Sequence, residues 1–489
     1  MAKDRPKTRG SPQTFGLMIP GASGNGAERE VFAPYDGQVI ARVAAGDRAA
    51  VETALSTAAS LFADRDRWLT RPERIDILDR AAEIMASRAE DLTREAAHEG
   101  GKPLKDSRVE IARAIDGVRN CVEVLRSETG ESIPMNINAA SAHRIAVTRY
   151  EPIGVVVAVS AFNHPFNLIV HQVAPAVAAG CPVIVKPAEV TPVSCLRFVE
   201  ILREAGLPEE WCQPVITDGR DTSEALVTDS RVAFFSFIGS AKVGWMLRSK
   251  LAPGARCALE HGGAAPVIVA PDADLDLAVP SIAKGGFYHA GQVCVSVQRV
   301  FVEAGSAEAF AGRLAEAAAK LHVGDPLDET VDVGPLIRTA EVDRVDEWVG
   351  EARGAGAEVL SGGTKVSDSC YAPTVLYDPP GDARVSTQEI FGPVVCVYPY
   401  DDLDQAIARA NALPYAFQAA VFTRDLDLAL RAYARLDASA VMVNDHTAFR
   451  VDWMPFAGLK ESGHGVGGIP HTFRDMQIEK MLVIQSPEL

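Results

Sequence analysis

From residue 153 onward, short apolar runs alternate with helical patterns, and this alternation restricts the fold more than any other property of the chain. Residues 153–159, 182–185, 213–216 and 233–237 read as strands, and 166–179, 192–205, 221–229 and 241–251 as helices. Strands joined through helices need crossover connections, so the pattern predicts a parallel, doubly wound sheet of βαβ units. The alternation resumes after Glu260 with strands over 266–269, 299–302, 372–376, 394–398, 418–422 and 440–443. Helices lie between them, which makes a second α/β unit of about 200 residues. Upstream, the spacing of Val51, Ala54, Leu55, Ala58 and Leu61 predicts a helix. Another runs from Pro72 to about His98 and stops at Gly100-Gly101, and a third covers 106–128. Residues 1–30 read as a tail with little structure of its own, and 143–150 and the last twenty or so residues as β segments.

The chain has 489 residues, enough for two or three domains at about 150 residues each. It carries 48 Lys and Arg against 65 Asp and Glu, a net charge of −17. That balance counts against nucleic acid or an anionic membrane as a partner, since both need clustered basic residues. No window of about 18 uninterrupted apolar residues marks a membrane span. The basic N-terminus lacks the apolar core of a secretory signal. The expectation is a soluble cytoplasmic protein with reduced thiols. Eight cysteines without a CxxC pair fit neither a disulfide scaffold nor a zinc ribbon. Asp272-Ala-Asp274-Leu-Asp276 lacks the Gly and Glu of a calcium loop and reads as helix capping, so no metal is expected.

Several short motifs carry chemistry. Lys186 and Glu189 stand just past a buried strand, where open α/β sheets hold ligands. A donor and a carboxylate there suit the hydroxyls of a ribose; a surface Lys and a helix-start Glu read equally well. Gly239-Ser240 joins a strand to a helix, which suits a phosphate at the helix N-terminus or a simple turn with a Ser cap. Glu260 precedes two Gly residues after His261 and reads either as a buried base or as a solvated turn carboxylate. Residues 285–294 form a Gly-rich stretch that ends on Cys294, where backbone N–H groups can face whatever the thiol attacks. The other seven cysteines read as small buried packing residues.

Together these pieces resemble the NAD(P)-dependent aldehyde dehydrogenase superfamily from about residue 30 to the C-terminus. The resemblance rests on Phe162-Asn163-His-Pro165, Lys186-Pro-Ala-Glu189, Phe237-Ile-Gly239-Ser240 and Leu259-Glu260-His-Gly-Gly263. It continues through Gly291-Gln-Val-Cys294, Glu389-Ile-Phe391-Gly-Pro393 and Pro455-Phe456-Ala-Gly-Leu-Lys460-Glu-Ser-Gly463, in the family's order. It implies an α/β fold with a Rossmann-type dinucleotide domain (1–130 and 151–259), an α/β catalytic domain (260–468) and a small β oligomerisation arm (131–150 and 469–489). The implied partners are a small-molecule aldehyde and further copies of the chain, as a homodimer or homotetramer.

The implied chemistry is aldehyde oxidation to the acid. Cys294 is the nucleophile, Asn163 and the Cys294 N–H hold the oxyanion, and Glu260 activates water for thioester hydrolysis. Lys186, Glu189, Gly239, Ser240, Glu389 and Phe391 match the family's dinucleotide contacts. The cofactor is expected to be NAD, with NADP possible, because the Glu189 carboxylate would repel a 2′-phosphate.

By the same resemblance, Phe162, Phe166, His289, His446, Arg450 and Phe456 line the substrate pocket. Arg450 and the histidines point to a small polar or anionic aldehyde, such as a semialdehyde or a hydroxy-, phospho- or sulfo-aldehyde. Arg450 reads equally as a structural partner of Asp445, Asp452 or another carboxylate. The other functions considered are a CoA-acylating dehydrogenase, a Cys hydrolase and a catalytically silent binding protein. Two departures from the family stand out. His261 replaces an apolar residue, with an expected electrostatic effect on the turn, and Val466-Gly467 replace Arg-Glu.

Overall fold

The computed structural model describes residues 11–22 and 26–489. Among them, two parallel sheets form the body of the molecule. The first has six strands in the order Gly463–His464, Arg256–Glu260, Val232–Ile238, Val155–Val159, Val183–Lys186 and Cys212–Pro214. All pairs are parallel except the first, where Gly463 and His464 run antiparallel to Glu260 and Leu259. The inner strands are nearly all buried aliphatic residues, as a sheet covered on both faces requires. The chain builds outward from Val155–Val159 in one direction and then returns to its other side at Val232–Ile238. That reversal opens a crevice at the C-terminal ends of the strands, the place where doubly wound sheets bind ligands.

The second sheet has seven strands in the order Glu358–Ser361, Thr374–Tyr377, Val394–Tyr400, Val297–Glu303, Ala265–Val269, Gln418–Phe422 and Ala440–Val443. Only Glu358–Ser361 is antiparallel to its neighbour. Its core includes Phe301, Phe310, Tyr371 and Phe422, all nearly inaccessible. A separate two-sided apolar core covers the faces of the first sheet.

The helices fall close to the sequence expectation, with instructive exceptions. The segment expected as one helix over 72–98 is two, Arg71–Ser87 and Ala89–Gly100, divided at Arg88. The first opens with a full capping box between Thr70 and Glu73, and the second closes on Gly101 at φ 74°. Part of the supposed N-terminal tail is ordered. Gln13–Phe15 and Ala27–Phe32 flank Val39–Ala45 in a three-stranded sheet, whereas residues 1–10 and 23–25 lie outside the described residues. Glu358–Ser361 is a short edge strand without clear alternation, which left no periodic signal. Asp274 caps the helix Leu275–Phe287 by accepting from the Asp276 N–H at 3.0 Å.

The arm is an antiparallel ribbon. Gln477–Gln485 pairs with Arg144–Pro152 over nine residues, from Gln477 opposite Pro152 to Gln485 opposite Arg144. Ser132–Ile133 adds a short third strand. The helix Ile469–Asp475, expected with the arm, belongs elsewhere. Its Ile469 and Phe473 are buried in the core beneath the first sheet, against the helices Leu104–Ser127 and Asn167–Ala179.

Candidate active site

A single cavity of about 1350 Å³ runs along the crevice between the two sheets. Lys186, Glu189, Gly239 and Ser240 line it, together with Glu260, Cys294, Glu389 and Phe391 and with Asn163, Arg450 and Phe456. Residues over 200 positions apart meet there because each follows the C-terminal end of a strand or helix that points into the crevice. The sequence-predicted residues Phe162 and His446 also line it. Two predicted lining residues do not. Phe166 is buried in the core against Phe198, at 5.7 Å between ring centroids, because it sits where the helix Asn167–Ala179 begins and turns inward. His289 is sealed at 0% exposure against His164, at 6.2 Å between ring centroids, with both ring nitrogens unpartnered.

Cys294 stands at the end of a strained turn. Gly285 and Gly286 form the last turn of Leu275–Phe287, where a Cβ on either would strike His446 or Val395. The backbone then takes three left-handed residues in succession, His289 (φ 48°), Ala290 (φ 54°) and Gly291 (φ 70°). Two of these are not Gly, and such strain concentrates at functional sites. Gln292 braces the turn: its Nε2 donates to the His289 and Pro335 carbonyls, and its Oε1 accepts from the Ile337 N–H at 3.0 Å. Val293, Val295, Phe417 and Phe456 pack around the cysteine. Burial pushes the Cys294 thiol up to about 12, with the Glu260 carboxylate adding to the rise and Arg450 opposing it. The thiol is therefore protonated at neutral pH until a base or ligand intervenes.

Asn163 Nδ2 donates one N–H to the Gln292 carbonyl at 2.9 Å, which leaves the second N–H for the cavity beside Cys294. Its loop is fixed by a buried ion pair. Lys102 Nζ lies 2.5 Å from Glu110 Oε2, both inaccessible, and Glu110 Oε1 accepts from the N–H groups of Phe166 and Asn167 at 2.9 and 3.0 Å. Those are free donors of a helix N-terminus, so the carboxylate caps the helix that follows Asn163.

Glu260 ends its strand with only 17% of its side chain exposed, which disposes of the solvated-turn reading. Burial raises its pKa above the ordinary carboxylate value, and Arg450 pulls it back. His261 carries no charge into the turn. Its Nδ1 donates to the Gly239 carbonyl at 2.9 Å, its ring sits against Phe237 and Trp245, and burial lowers its pKa. The ring fills the space where a Cβ on Gly244 would be. Glu389 accepts from the Gly263 N–H at 3.0 Å, and burial raises it to about 7.

The dinucleotide end fits a polar ligand. Lys186 closes the strand Val183–Lys186 with 8% exposure. The Ser240 hydroxyl makes no capping bond to the helix Ala241–Arg248, so the simple Ser-cap reading fails and the hydroxyl stays free. Ser160 Oγ, on the cavity wall, is buried with no partner, an orphan that a bound hydroxyl or amide would satisfy. Glu189 is not a helix start. It pairs with Arg29 at 3.6 Å, so its repulsion of a 2′-phosphate is partly offset by a cation that the sequence reading overlooked.

Arg450 also has partners that the sequence did not indicate. Asp452, one of its expected partners, is held by Arg113 through two bonds of 2.6 and 3.2 Å and by His171 Nε2 at 2.6 Å. Asp445 accepts from the His446 N–H. Arg450 instead lies over the Phe456 ring, 3.6 Å from its centroid, with Nη2 3.3 Å from His171 Nδ1 and Nη1 4.0 Å from Glu260 Oε2.

Comparison with known proteins agrees with this geometry. The family model described as "Aldehyde dehydrogenase family" matches residues 22–482. The 3-sulfolactaldehyde dehydrogenase of Priestia aryabhattai is 38% identical over 96% of this chain and 98% of its own. The crystal structure of aldehyde dehydrogenase 21 from Physcomitrella patens, in complex with the reaction product succinate, superposes with a TM-score of 0.93 at 32% identity, covering 97% of this chain and 99% of that one. Glyceraldehyde-3-phosphate dehydrogenase from Methanocaldococcus jannaschii, complexed with NADP, gives 0.89 at 33% identity, over 94% and 100%.

Proposed function

This chain belongs to the aldehyde dehydrogenase family and is an NAD(P)-dependent oxidoreductase; from that premise we propose that it oxidises a small anionic aldehyde to its carboxylic acid through a thioester on Cys294. The observation that carries the substrate class is Arg450. Its side chain is only 9% exposed, it faces the cavity beside Glu260 and Cys294, and its Nε is buried with no partner. An unpaired N–H on a buried guanidinium is costly, and an anionic group on the substrate would satisfy it through a charge-assisted hydrogen bond. Val293, Val295 and Phe456 give the cavity apolar wall beside the thiol, which suits the carbon chain of such a substrate.

In this reading the Cys294 thiol gives its proton up to solvent water, and Sγ attacks the aldehyde carbon. The oxygen becomes an oxyanion, held by the free Asn163 N–H and the Cys294 backbone N–H. Lys186, Glu189, Gly239, Ser240, Glu389 and Phe391 would hold the dinucleotide, which when bound accepts a hydride from the substrate carbon. Glu260 then takes a proton from water as the oxygen adds to the thioester carbon. The C–S bond breaks, the acid leaves, and Cys294 returns as thiolate. Retention of a buried carboxylate at 260 supports water rather than CoA as the acyl acceptor. The domain division at 130, 150, 259 and 468 is part of the same proposal, with Ile469–Asp475 moved from the arm to the dinucleotide domain.

The test compares kcat/KM for a sulfonated or carboxylated three-carbon aldehyde with that for propanal, in wild type and Arg450→Met. The expected loss for the anionic substrate is on the order of 100-fold, as for one buried charge-assisted contact of about 3 kcal/mol, with no comparable loss for propanal. An equal loss for both would remove Arg450 from substrate recognition.

A further inference from the structure

Arg450 has a second carboxylate to serve. Its guanidinium face is occupied by Phe456, and one edge donates to His171 Nδ1 at 3.3 Å. His171 must accept there, because its Nε2 donates to Asp452 at 2.6 Å. Asp452 is already doubly bonded to Arg113. Among the described residues, the carboxylate left within ion-pair reach of Arg450 is Glu260, 4.0 Å away and not hydrogen-bonded to it.

Glu260 is held on its other side by the absence of a side chain. Gly467 and Phe456 exchange two backbone hydrogen bonds, of 2.7 and 3.0 Å, and the Glu260 carboxylate rests on that bridge. A Cβ on Gly467 would overlap Glu260 Oε1. One of the two departures from the family pattern thus falls beside the Glu260 carboxylate, and the backbone of Phe456, whose ring carries Arg450, forms the other half of the bridge.

We propose that Arg450 is a positioning residue that keeps Glu260 parked on the Phe456–Gly467 bridge until the anionic group of the substrate displaces it as the partner of the guanidinium. This rests on the reading of Arg450 as the anion-binding residue. The substrate's anion then has two uses. It fixes the aldehyde for attack, and it frees the base for hydrolysis, in which water gives a proton to Glu260, a C–O bond forms, and the C–S bond breaks to release thiolate. A neutral aldehyde acylates Cys294 but leaves Glu260 parked, so its thioester persists. The device makes turnover, as well as binding, selective for anionic aldehydes.

The test splits the substrate in two. Enzyme is acylated by propanal with NAD, quenched over time, and the thioester on the intact chain is counted by mass spectrometry, with and without millimolar methanesulfonate. In wild type, propanoyl-enzyme should accumulate and decay slowly, and methanesulfonate should speed its decay about fivefold or more. In Arg450→Met the decay should be fast without the anion and insensitive to it. Gly467→Ala, which leaves Arg450 in place and pushes Glu260 off the bridge, should behave the same way if Arg450→Met fails to fold. The proposal is overturned if propanoyl-enzyme does not accumulate in wild type, if methanesulfonate leaves its decay unchanged or slows it, or if either variant decays no faster than wild type. A failure of anion recognition itself would appear separately, as unchanged discrimination between anionic and neutral aldehydes in Arg450→Met.

Discussion

At the scale of single residues, the site depends on charges placed where water cannot reach them. Glu260 must be ionised to act as a base, and burial raises its pKa above the usual carboxylate value while Arg450 lowers it. A raised pKa means that the base is lost while falling pH is still above the ordinary carboxylate range of about 4. The acid limb of kcat for a neutral aldehyde should therefore have its midpoint above that range, and Arg450→Met, which removes the cation, should move it to higher pH. A pH–rate series on both proteins checks this, and an unchanged or lower midpoint in the variant would contradict it. Cys294, pushed up to about 12 in the free protein, bears on kcat/KM instead, because the acyl-enzyme has no free thiol to titrate. The residues proposed for the chemical step could be picked out of the sequence because each sits in a short motif with its own spacing. Arg113, His171 and Asp452 were not. They come from two helices and a loop, 58 to 339 positions apart, and nothing local in the sequence signals that they share one hydrogen-bonded chain beside Arg450. Phe166 and His289 failed as pocket residues for the converse reason. Motif position places them near the site, whereas side-chain direction turns one into the core and seals the other.

At the scale of elements, the alternation of apolar runs and helical spacing identified ten of the thirteen strands of the two sheets, since a buried parallel strand is a continuous aliphatic run; Arg256–Glu260, Gly463–His464 and Glu358–Ser361 were not among them. It missed what has no period. The division at Arg88 interrupts an otherwise continuous amphipathic pattern, and the N-terminal strands alternate over too few residues to register. The arm shows an element that is incomplete alone. Ile145, Val147, Met481, Leu482, Val483 and Ile484 are each 40–57% exposed on a nine-residue ribbon. We propose that this long ribbon, with its exposed aliphatic residues, is where the chain associates with another copy of itself. Leu482→Asp should shift the protein toward a smaller assembly in sedimentation velocity while the monomer keeps its far-UV spectrum. An unchanged sedimentation coefficient would remove the arm from the interface.

At the scale of the whole molecule, the net charge of −17 opposes the approach of an anionic aldehyde and a dinucleotide. The cavity does not share that acidic excess: seven basic residues, Arg450 and Lys186 among them, line it against six acidic ones. Both sheets direct the ends of their strands into this one space, so the fold brings a thiol, an amide and a guanidinium from three loops together with a carboxylate at a strand end. Among the described residues no helix is long and apolar enough to cross a membrane. The central claim is that Cys294 carries the acyl group and Glu260 releases it. Replacing the base by its neutral isostere, Glu260→Gln, tests that claim most directly, because the amide fits the same space beside Gly467 but cannot accept the proton. Incubated with NAD and a sulfonated aldehyde, this variant should form about one NADH per chain and stop, with one acyl group mapped by peptide mass to Cys294. Continued turnover near the wild-type rate, or a chain without acyl group on Cys294, would contradict the account.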